Sequence, residues 1–184
     1  MANKQALRDL QSRLAERLQA ARTQERTQSW LAVECGGRGF VLPLREAGEI
    51  YPVAPLTAVP HSQRWFAGVA NLRGHLHGVV DLAGFLGIKA PERHEAGRDQ
   101  SRLVGFNQAL EINTVLLVDR LAGLRSDTDL TRIDATRIDA PTATTAPARP
   151  AFVGARLRDA AGRVWQELQL AELARDDTFL MIVG

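Results

Sequence analysis

Residues 65–82 form the part of the sequence that says most about the fold. They read Trp-Phe-Ala-Gly-Val-Ala-Asn-Leu-Arg-Gly-His-Leu-His-Gly-Val-Val-Asp-Leu. Two short apolar runs, at 68–72 and 75–81, flank an Arg-Gly dipeptide, and runs of this length are typical of β-strands. Asparagine and glycine suit the conformations of a tight turn. The stretch therefore predicts a hairpin whose β-turn covers residues 71–74, followed by a short helix over 82–86.

Outside this hairpin the chain continues as short apolar runs separated by turn residues. Further strands are predicted at 30–35, 39–44, 50–53, 103–106, 113–120, 152–158 and 162–168. The chain closes with a segment at 170–173 and with one at 178–183, the latter a strand or a short helix. Many short strands with turns between them predict an all-β protein with few helices.

Two segments have the pattern of neither a strand nor a helix. Residues 88–101 are polar and aperiodic, so we expect a loop there. Residues 140–150 contain only Ala, Pro, Thr and one Arg. Such a composition cannot bury enough apolar surface to offset the entropy of ordering the chain. We therefore expect a mobile loop in this second segment.

A faint internal repeat relates the two halves of the chain at an offset of 86 residues. The aligned positions are Phe66, Gly68, Asp81 and Leu82 with Phe152, Gly154, Glu167 and Leu168. A second match, at a different offset of 74 residues, pairs Val41-Leu42 with Val115-Leu116. The repetition predicts two similar small β-subdomains rather than one irregular sheet.

Residues 1–28 carry the pattern of an amphipathic helix. Leucines at positions 7, 10, 14 and 18 recur at spacings of three and four, which places them in one stripe on a period of 3.6 residues. Charged residues occupy the other faces. Such a helix either packs on its own domain or docks on a partner protein, and the pattern is compatible with both.

Composition and charge restrict the class of protein. The 184 residues suffice for one medium domain or two small ones packed together. The balance of 23 basic and 21 acidic residues gives a net charge of +2, which provides no strong field for nucleic acid or an anionic membrane. A single cysteine excludes an intramolecular disulfide, and no apolar run has the length of a signal peptide or a membrane span. We expect a soluble, cytoplasmic protein without direct membrane insertion.

The sequence lacks the motifs of common enzymes. It contains no P-loop, no Gly-x-Gly-x-x-Gly loop and no Gly-x-Ser-x-Gly elbow. His75 and His77 would share one face of a strand and could form half of a zinc site, but no third ligand follows nearby. Cys35 lacks the local motif of a thiol protease. We therefore predict a protein with no catalytic residues, no metal and no cofactor.

The hairpin region resembles the CheW family of chemotaxis adaptors. The family signature has Gly-Val, then Asn-Leu-Arg-Gly, then an apolar strand that ends in Asp-Leu. Residues 68–69, 71–74 and 79–82 fit it. The resemblance extends upstream to 40–44, 48–50 and 57–60, downstream to 113–123, and covers residues 29–183 in all.

Two further features bear on the branch of this family. Trp65 and the leucine-rich leader resemble the PilI branch, whose members serve twitching motility. The chain also departs from the family pattern, because its second hairpin ends in Gln166-Glu167-Leu168 and its Ala/Pro/Thr loop is longer than usual.

The resemblance implies a fold and a function. The implied fold is all-β, with two SH3-like five-stranded β-barrel subdomains that share an apolar layer. The implied function is that of a non-enzymatic adaptor, which couples the cytoplasmic tip of a methyl-accepting chemoreceptor to the regulatory domain of a CheA-like histidine kinase. Such adaptors work in chemotaxis or type IV pilus arrays. The implied partner-binding residues are Glu49, Ile50, Gly68, Asn71, Leu72, Arg73 and Gly74.

Arg73 has two possible roles that are compatible with each other. Its guanidinium either pairs with the carboxylate of Glu49 or contacts a partner directly, and the pair could itself shape a binding surface. The alternative class of protein is a β-barrel that binds nucleic acid, which would need basic and aromatic residues interleaved on one face.

Overall fold

The computed structural model describes residues 28–88, 99–133 and 149–184. The amphipathic helix predicted over 1–28 lies outside the described residues except for its last position. Most of the loops predicted at 88–101 and 140–150 lies outside them as well.

The described residues form eleven strands in two sheets. The first sheet consists of β1 (Ser29–Cys35), β2 (Arg38–Pro43), β8 (Arg120–Ser126), β9 (Leu130–Ile133), β10 (Val153–Asp159) and β11 (Val164–Leu168). The second consists of β3 (Ala47–Pro52), β4 (Phe66–Leu72), β5 (His75–Asp81), β6 (Arg102–Phe106) and β7 (Thr114–Val118). Most neighbours are antiparallel, while β2–β11 and β5–β7 are parallel.

The second sheet is built from one continuous part of the chain, and the first is built from the parts on either side of it. Strands β3 to β7 fall within residues 47–118, whereas the six-stranded sheet joins β1 and β2 to β8–β11. The chain crosses between the sheets at Asp119, whose amide donates to the carbonyl of Glu34 at 2.9 Å and whose carboxylate accepts from the amide of Gly36 at 2.7 Å. These anchors divide the strand predicted over 113–120 into β7 and the start of β8.

The two sheets have equivalent strand orders. The first runs β8-β1-β2-β11-β10-β9 and the second β3-β6-β7-β5-β4. When the strands of the two orders are paired one by one from the first strand onward, the parallel pairs β2–β11 and β7–β5 both fall at the third and fourth positions. Strand β9 then corresponds to the single bridge between Thr57 and Val69 beside β4. The prediction of two five-stranded β-subdomains is confirmed, with β9 as an additional edge strand on one of them.

The internal repeat of the sequence corresponds to the hairpins β4–β5 and β10–β11. Each hairpin is followed by a short helix, α1 (Leu82–Phe85) or α2 (Leu170–Leu173). The repeated residues Phe66 and Phe152 are buried in one apolar cluster, and Leu82 and Leu168 are buried in it too. The repeat therefore marks equivalent positions around a shared core.

Three apolar clusters fill the described part of the molecule. The central cluster takes buried side chains from both sheets, among them Leu31, Val33, Leu42, Val80, Val104 and Leu116. Each barrel also has its own interior, with Trp30, Ala32, Val41, Leu157 and Trp165 in the first and Ala70, Leu72, Val79, Leu103 and Val115 in the second. Successive residues of a strand point to opposite faces, so a strand such as β1 is buried on both. The predicted shared apolar layer is the central cluster.

The helices of the described residues are short. Besides α1 and α2 there are a 3₁₀ helix (Gln108–Leu110) and α3 (Asp177–Leu180). Helix α3 begins after Asp176, whose carboxylate accepts from the amide of Phe179 at 3.0 Å, as expected of a capping residue. The segment predicted over 178–183 as a strand or a short helix thus begins within helix α3. Its end, at Val183, forms one β-bridge to Ser62. None of these helices is long and apolar enough to cross a membrane.

Candidate partner-binding surface

The Asn-Leu-Arg-Gly segment forms the tight turn between β4 and β5. Leu72 and His75 are the last cross-strand pair, so Arg73 and Gly74 are the two turn residues, with φ angles of 52° and 88°. Positive φ at both positions is the geometry of a type I′ hairpin, whose twist matches that of the strands. The side-chain oxygen of Asn71 accepts a hydrogen bond from the amide of Gly74 at 2.8 Å. The predicted β-turn is present but lies one residue further along the chain, over 72–75 rather than 71–74.

Arg73 forms the predicted ion pair with Glu49 on β3. The two side chains are 72% and 41% exposed, and an exposed ion pair contributes only about 0–1 kcal/mol. A non-glycine residue with positive φ costs roughly 1–2 kcal/mol. The arrangement of Arg73 therefore adds little to stability, and its main effect is to fix a guanidinium at the surface.

Tyr51 joins this ion pair as a third member. The guanidinium carbon of Arg73 lies 5.8 Å from the centre of the Tyr51 ring, while Glu49 pairs with the same guanidinium. Burial, followed by hydrogen bonding to Glu49 and by its charge, raises the pKa of Tyr51 above its ordinary value. Because Glu49 and Tyr51 are two residues apart on β3, they share a face. Arg73 thus contacts both side chains.

Exposed apolar side chains also lie on β3 and β5 and beside them. Leu76 on β5 is 66% exposed, and Ile50 on β3 is 38% exposed. Val53, which follows β3, is also exposed. Arginine and aromatic residues among apolar ones are enriched in protein–protein interfaces, and they carry much of the binding energy there. The composition of this surface therefore suits a protein partner.

Two of the predicted partner-binding residues lie inside the protein. Leu72 is 5% exposed and packs in the interior of the second barrel. Gly68 is buried with a φ of 127°, and an added Cβ would collide with the carbonyl oxygen of Thr57. Thr57 and Val69 exchange two backbone hydrogen bonds of 2.8 Å beside it. Gly68 and Leu72 therefore support the surface from within, while Glu49, Ile50, Asn71, Arg73 and Gly74 are exposed.

A groove beside Tyr51 contains both histidines of the hairpin. Its lining includes Glu49, Tyr51, His75, His77, Glu111, Asn113 and Thr114. The Nδ1 atom of His77 is buried and has no hydrogen-bond partner within the described residues. Burial, and secondarily the charge of His75, lowers the pKa of His77, so its ring is neutral at pH 7. In the described ranges, no three His, Cys, Asp or Glu side chains are grouped so that they could hold a metal ion.

Tyr51 and Leu76 were not among the residues predicted from the sequence. Tyr51 could have been found from Glu49 by the alternation of a strand, since both fall on one face. Leu76 stands between two histidines in the sequence and so lies on the opposite face of β5 from them, and the local pattern does not reveal that this side chain is exposed.

Known proteins are similar to this chain in sequence. A family model described as "CheW-like domain" matches residues 29–178. Protein PilI of Pseudomonas aeruginosa is 38% identical over 105 residues, which cover 55% of this chain and 56% of that protein. The chemotaxis protein CheW of Rhizobium meliloti is 35% identical over 81 residues, which cover 41% of this chain and 52% of that protein. The chain thus spans little more than half the length of these curated relatives.

A solved structure has a similar fold over most of the chain. The scaffolding protein TtCheW from Thermoanaerobacter tengcongensis matches with a TM-score of 0.59, over 78% of this chain and 84% of that one. The sequence identity is 18%, so this likeness concerns the arrangement of the strands alone.

Proposed function

The chain belongs to the CheW-like family, and from this premise we propose that it is a non-enzymatic adaptor of a signalling array. Its proposed partners are the cytoplasmic tip of a methyl-accepting chemoreceptor and the regulatory domain of a CheA-like histidine kinase, which places it in the cytoplasm. The match over residues 29–178 supports this role. The PilI relative covers more of the chain than the CheW relatives do, which favours an array for type IV pili over one for chemotaxis.

The observation that carries the proposal is the exposed, fixed guanidinium of Arg73. Glu49 and Tyr51 hold it at the tip of the β4–β5 hairpin. A side chain that is already ordered loses less entropy when a partner binds. An adaptor needs only such contacts, since several weak ones become effectively intramolecular once the array forms. The role requires no acid, base or nucleophile.

The experiment uses calorimetry to measure how tightly the purified chain binds each of the two proposed partner domains, taken from the same organism. Arg73→Glu is expected to weaken binding to the kinase domain or the receptor tip by at least tenfold, about 1.4 kcal/mol. Circular dichroism should show an unchanged fold, because the ion pair contributes little to stability. Arg64→Glu is the matched control, since Arg64 is an exposed arginine outside this group. Binding of both domains by Arg73→Glu as tightly as by the wild type would contradict the proposal.

A charge swap separates two ways in which Arg73 could act. If the ion pair matters because it shapes the surface, Glu49→Arg combined with Arg73→Glu should restore part of the binding. If the guanidinium itself contacts the partner, the double variant should remain weak while its fold stays intact.

The alternative of a nucleic-acid-binding β-barrel receives no support from the family match or from the relatives. A titration with single-stranded DNA at low salt serves as its test, and we expect no specific binding.

A further inference from the structure

A second group of ordered arginines lies on the six-stranded subdomain. Glu34 on β1 accepts two hydrogen bonds of 2.7 Å from Arg120 on β8, through Nε and Nη2, and one of 2.5 Å from Nη1 of Arg163. Both oxygens of Glu34 are occupied, and the two hydrogen bonds from Arg120, with the one from Arg163, hold the pKa of Glu34 below its ordinary value. Side-chain exposure is 13% for Glu34, 50% for Arg120 and 38% for Arg163. The carboxylate is thus inside and the guanidinium groups are outside.

Trp165 fixes the same group from the interior of the barrel. Its ring is buried, and the guanidinium carbons of Arg163 and Arg125 lie 4.4 and 5.7 Å from the ring centre. The indole N–H donates to Asp159 at 2.9 Å, and the other Asp159 oxygen accepts from the amide of Arg163 at 2.9 Å. The second carboxylate of this region is therefore also used within the protein. We call Arg120, Arg125 and Arg163 the arginine cluster.

The geometry of the arginine cluster favours binding over stabilisation alone. Arginine side chains lose about 2 kcal/mol of rotamer freedom when they are fixed, and here the protein has fixed three of them before any partner arrives. Each guanidinium has five N–H donors in a rigid fork that matches a carboxylate. Glu34 engages two of those of Arg120 and one of those of Arg163. Both side chains are also partly exposed, so their remaining N–H donors can serve a partner.

We propose that the arginine cluster is a second docking surface of the adaptor, which receives a carboxylate-rich surface of a partner protein. The inference rests on the proposed function, because an adaptor that joins two proteins needs two separate surfaces. Arg73 lies on the five-stranded subdomain and the cluster on the six-stranded one. A protein surface is favoured over nucleic acid as the occupant, because a polyanion needs an extended basic track and the net charge of the chain is only +2.

The test compares two double variants with a control that carries the same charge change. Arg120→Glu with Arg163→Glu reverses the charge of the cluster. Arg120→Gln with Arg163→Gln removes the positive charge of the two side chains but keeps N–H donors for Glu34. This variant tests the docking surface if the charge-reversed variant fails to fold. Arg64→Glu with Arg175→Glu is the control, since both residues are exposed elsewhere on the surface.

Association rates with the CheA-like regulatory domain and with the receptor tip are measured at low and high salt. Charge reversal should slow association with one of the two domains by about tenfold at low salt, and the difference should shrink as salt rises, because steering between charged surfaces is screened. The control should associate at the wild-type rate. Folded cluster variants that bind both domains at the wild-type rate would overturn this inference and leave the Arg73 surface untouched.

Two other outcomes have distinct meanings. Binding of neither domain by the wild type would overturn the proposed function and this inference with it. An effect of the cluster variants on binding of a (dT)20 oligonucleotide, with none on either protein domain, would show that the class of occupant is wrong.

Discussion

Replacing Gly68 by alanine should destabilise the protein from a position that no partner can reach. Gly68 has a φ of 127°, and the new methyl group would collide with the carbonyl oxygen of Thr57. The backbone conformation alone costs a non-glycine residue about 1–3 kcal/mol. The collision also separates Thr57 from Val69 and so endangers two hydrogen bonds, each worth about 0.5–1.5 kcal/mol. We expect a total loss of about 2–6 kcal/mol in the free energy of unfolding.

Thermal and urea unfolding measure this loss. For a chain of this size, 1 kcal/mol corresponds to a shift of about 2–4 °C in Tm, so Gly68→Ala should lower Tm by about 5–20 °C. Gly74→Ala is the matched control, because Gly74 also has a positive φ but an added Cβ there meets no atom within 4 Å. The control should lose only the conformational part. A Gly68→Ala protein as stable as the control would show that the contact with Thr57 does not constrain the fold, and our account of Gly68 would be wrong.

The remaining predictions concern pH. The pKa of His77 is lowered by burial, so the unfolded chain takes up the proton first as pH falls. The free energy of unfolding should therefore decrease below about pH 6.5; His77→Gln should flatten this decrease in urea titrations, and an unchanged slope would contradict it. The pKa of Glu34 is lowered by its hydrogen bonds to Arg120 and Arg163, so its contribution should be complete above about pH 4.5 and disappear as pH falls further. Glu34→Gln should remove that part of the acid-induced loss, and an unaltered acid transition would count against a stabilising role of the hydrogen bonds of Glu34 to Arg120 and Arg163.

The hairpin at the centre of the sequence could be predicted because its signals are local. A tight turn needs only neighbouring residues, and Asn71 and Gly74 supply the required hydrogen bond and backbone freedom within four positions. The pairing of Arg73 with Glu49 was also foreseen as one of two options. It was inferred from the family resemblance and from the chemistry of the two side chains, since the residues are distant in sequence.

Other features could not be read from the sequence, because they depend on contacts between distant segments. Strands β8 and β9 have little apolar character of their own, and β8 forms because it pairs with β1. The division of the segment at 113–120 depends on Asp119 reaching the turn after β1. The arginine cluster likewise collects residues from β8 and the β10–β11 turn around Glu34 of β1. Contacts between segments so far apart leave no periodic pattern in the sequence.

The nesting of one subdomain within the other has a consequence for how the chain folds. The five-stranded subdomain is local in sequence and can form as soon as residues 47–118 are available. The other subdomain begins with β1 and β2 and is completed only when β11 pairs with β2 from the far end of the chain. Closing so long a loop is slow for a β-protein, and on the ribosome it must wait for nearly the whole chain. Until then the apolar side chains of Trp30 and Val41 have no cover from β10 and β11, so synthesis that stops before residue 153 should yield a chain prone to aggregation.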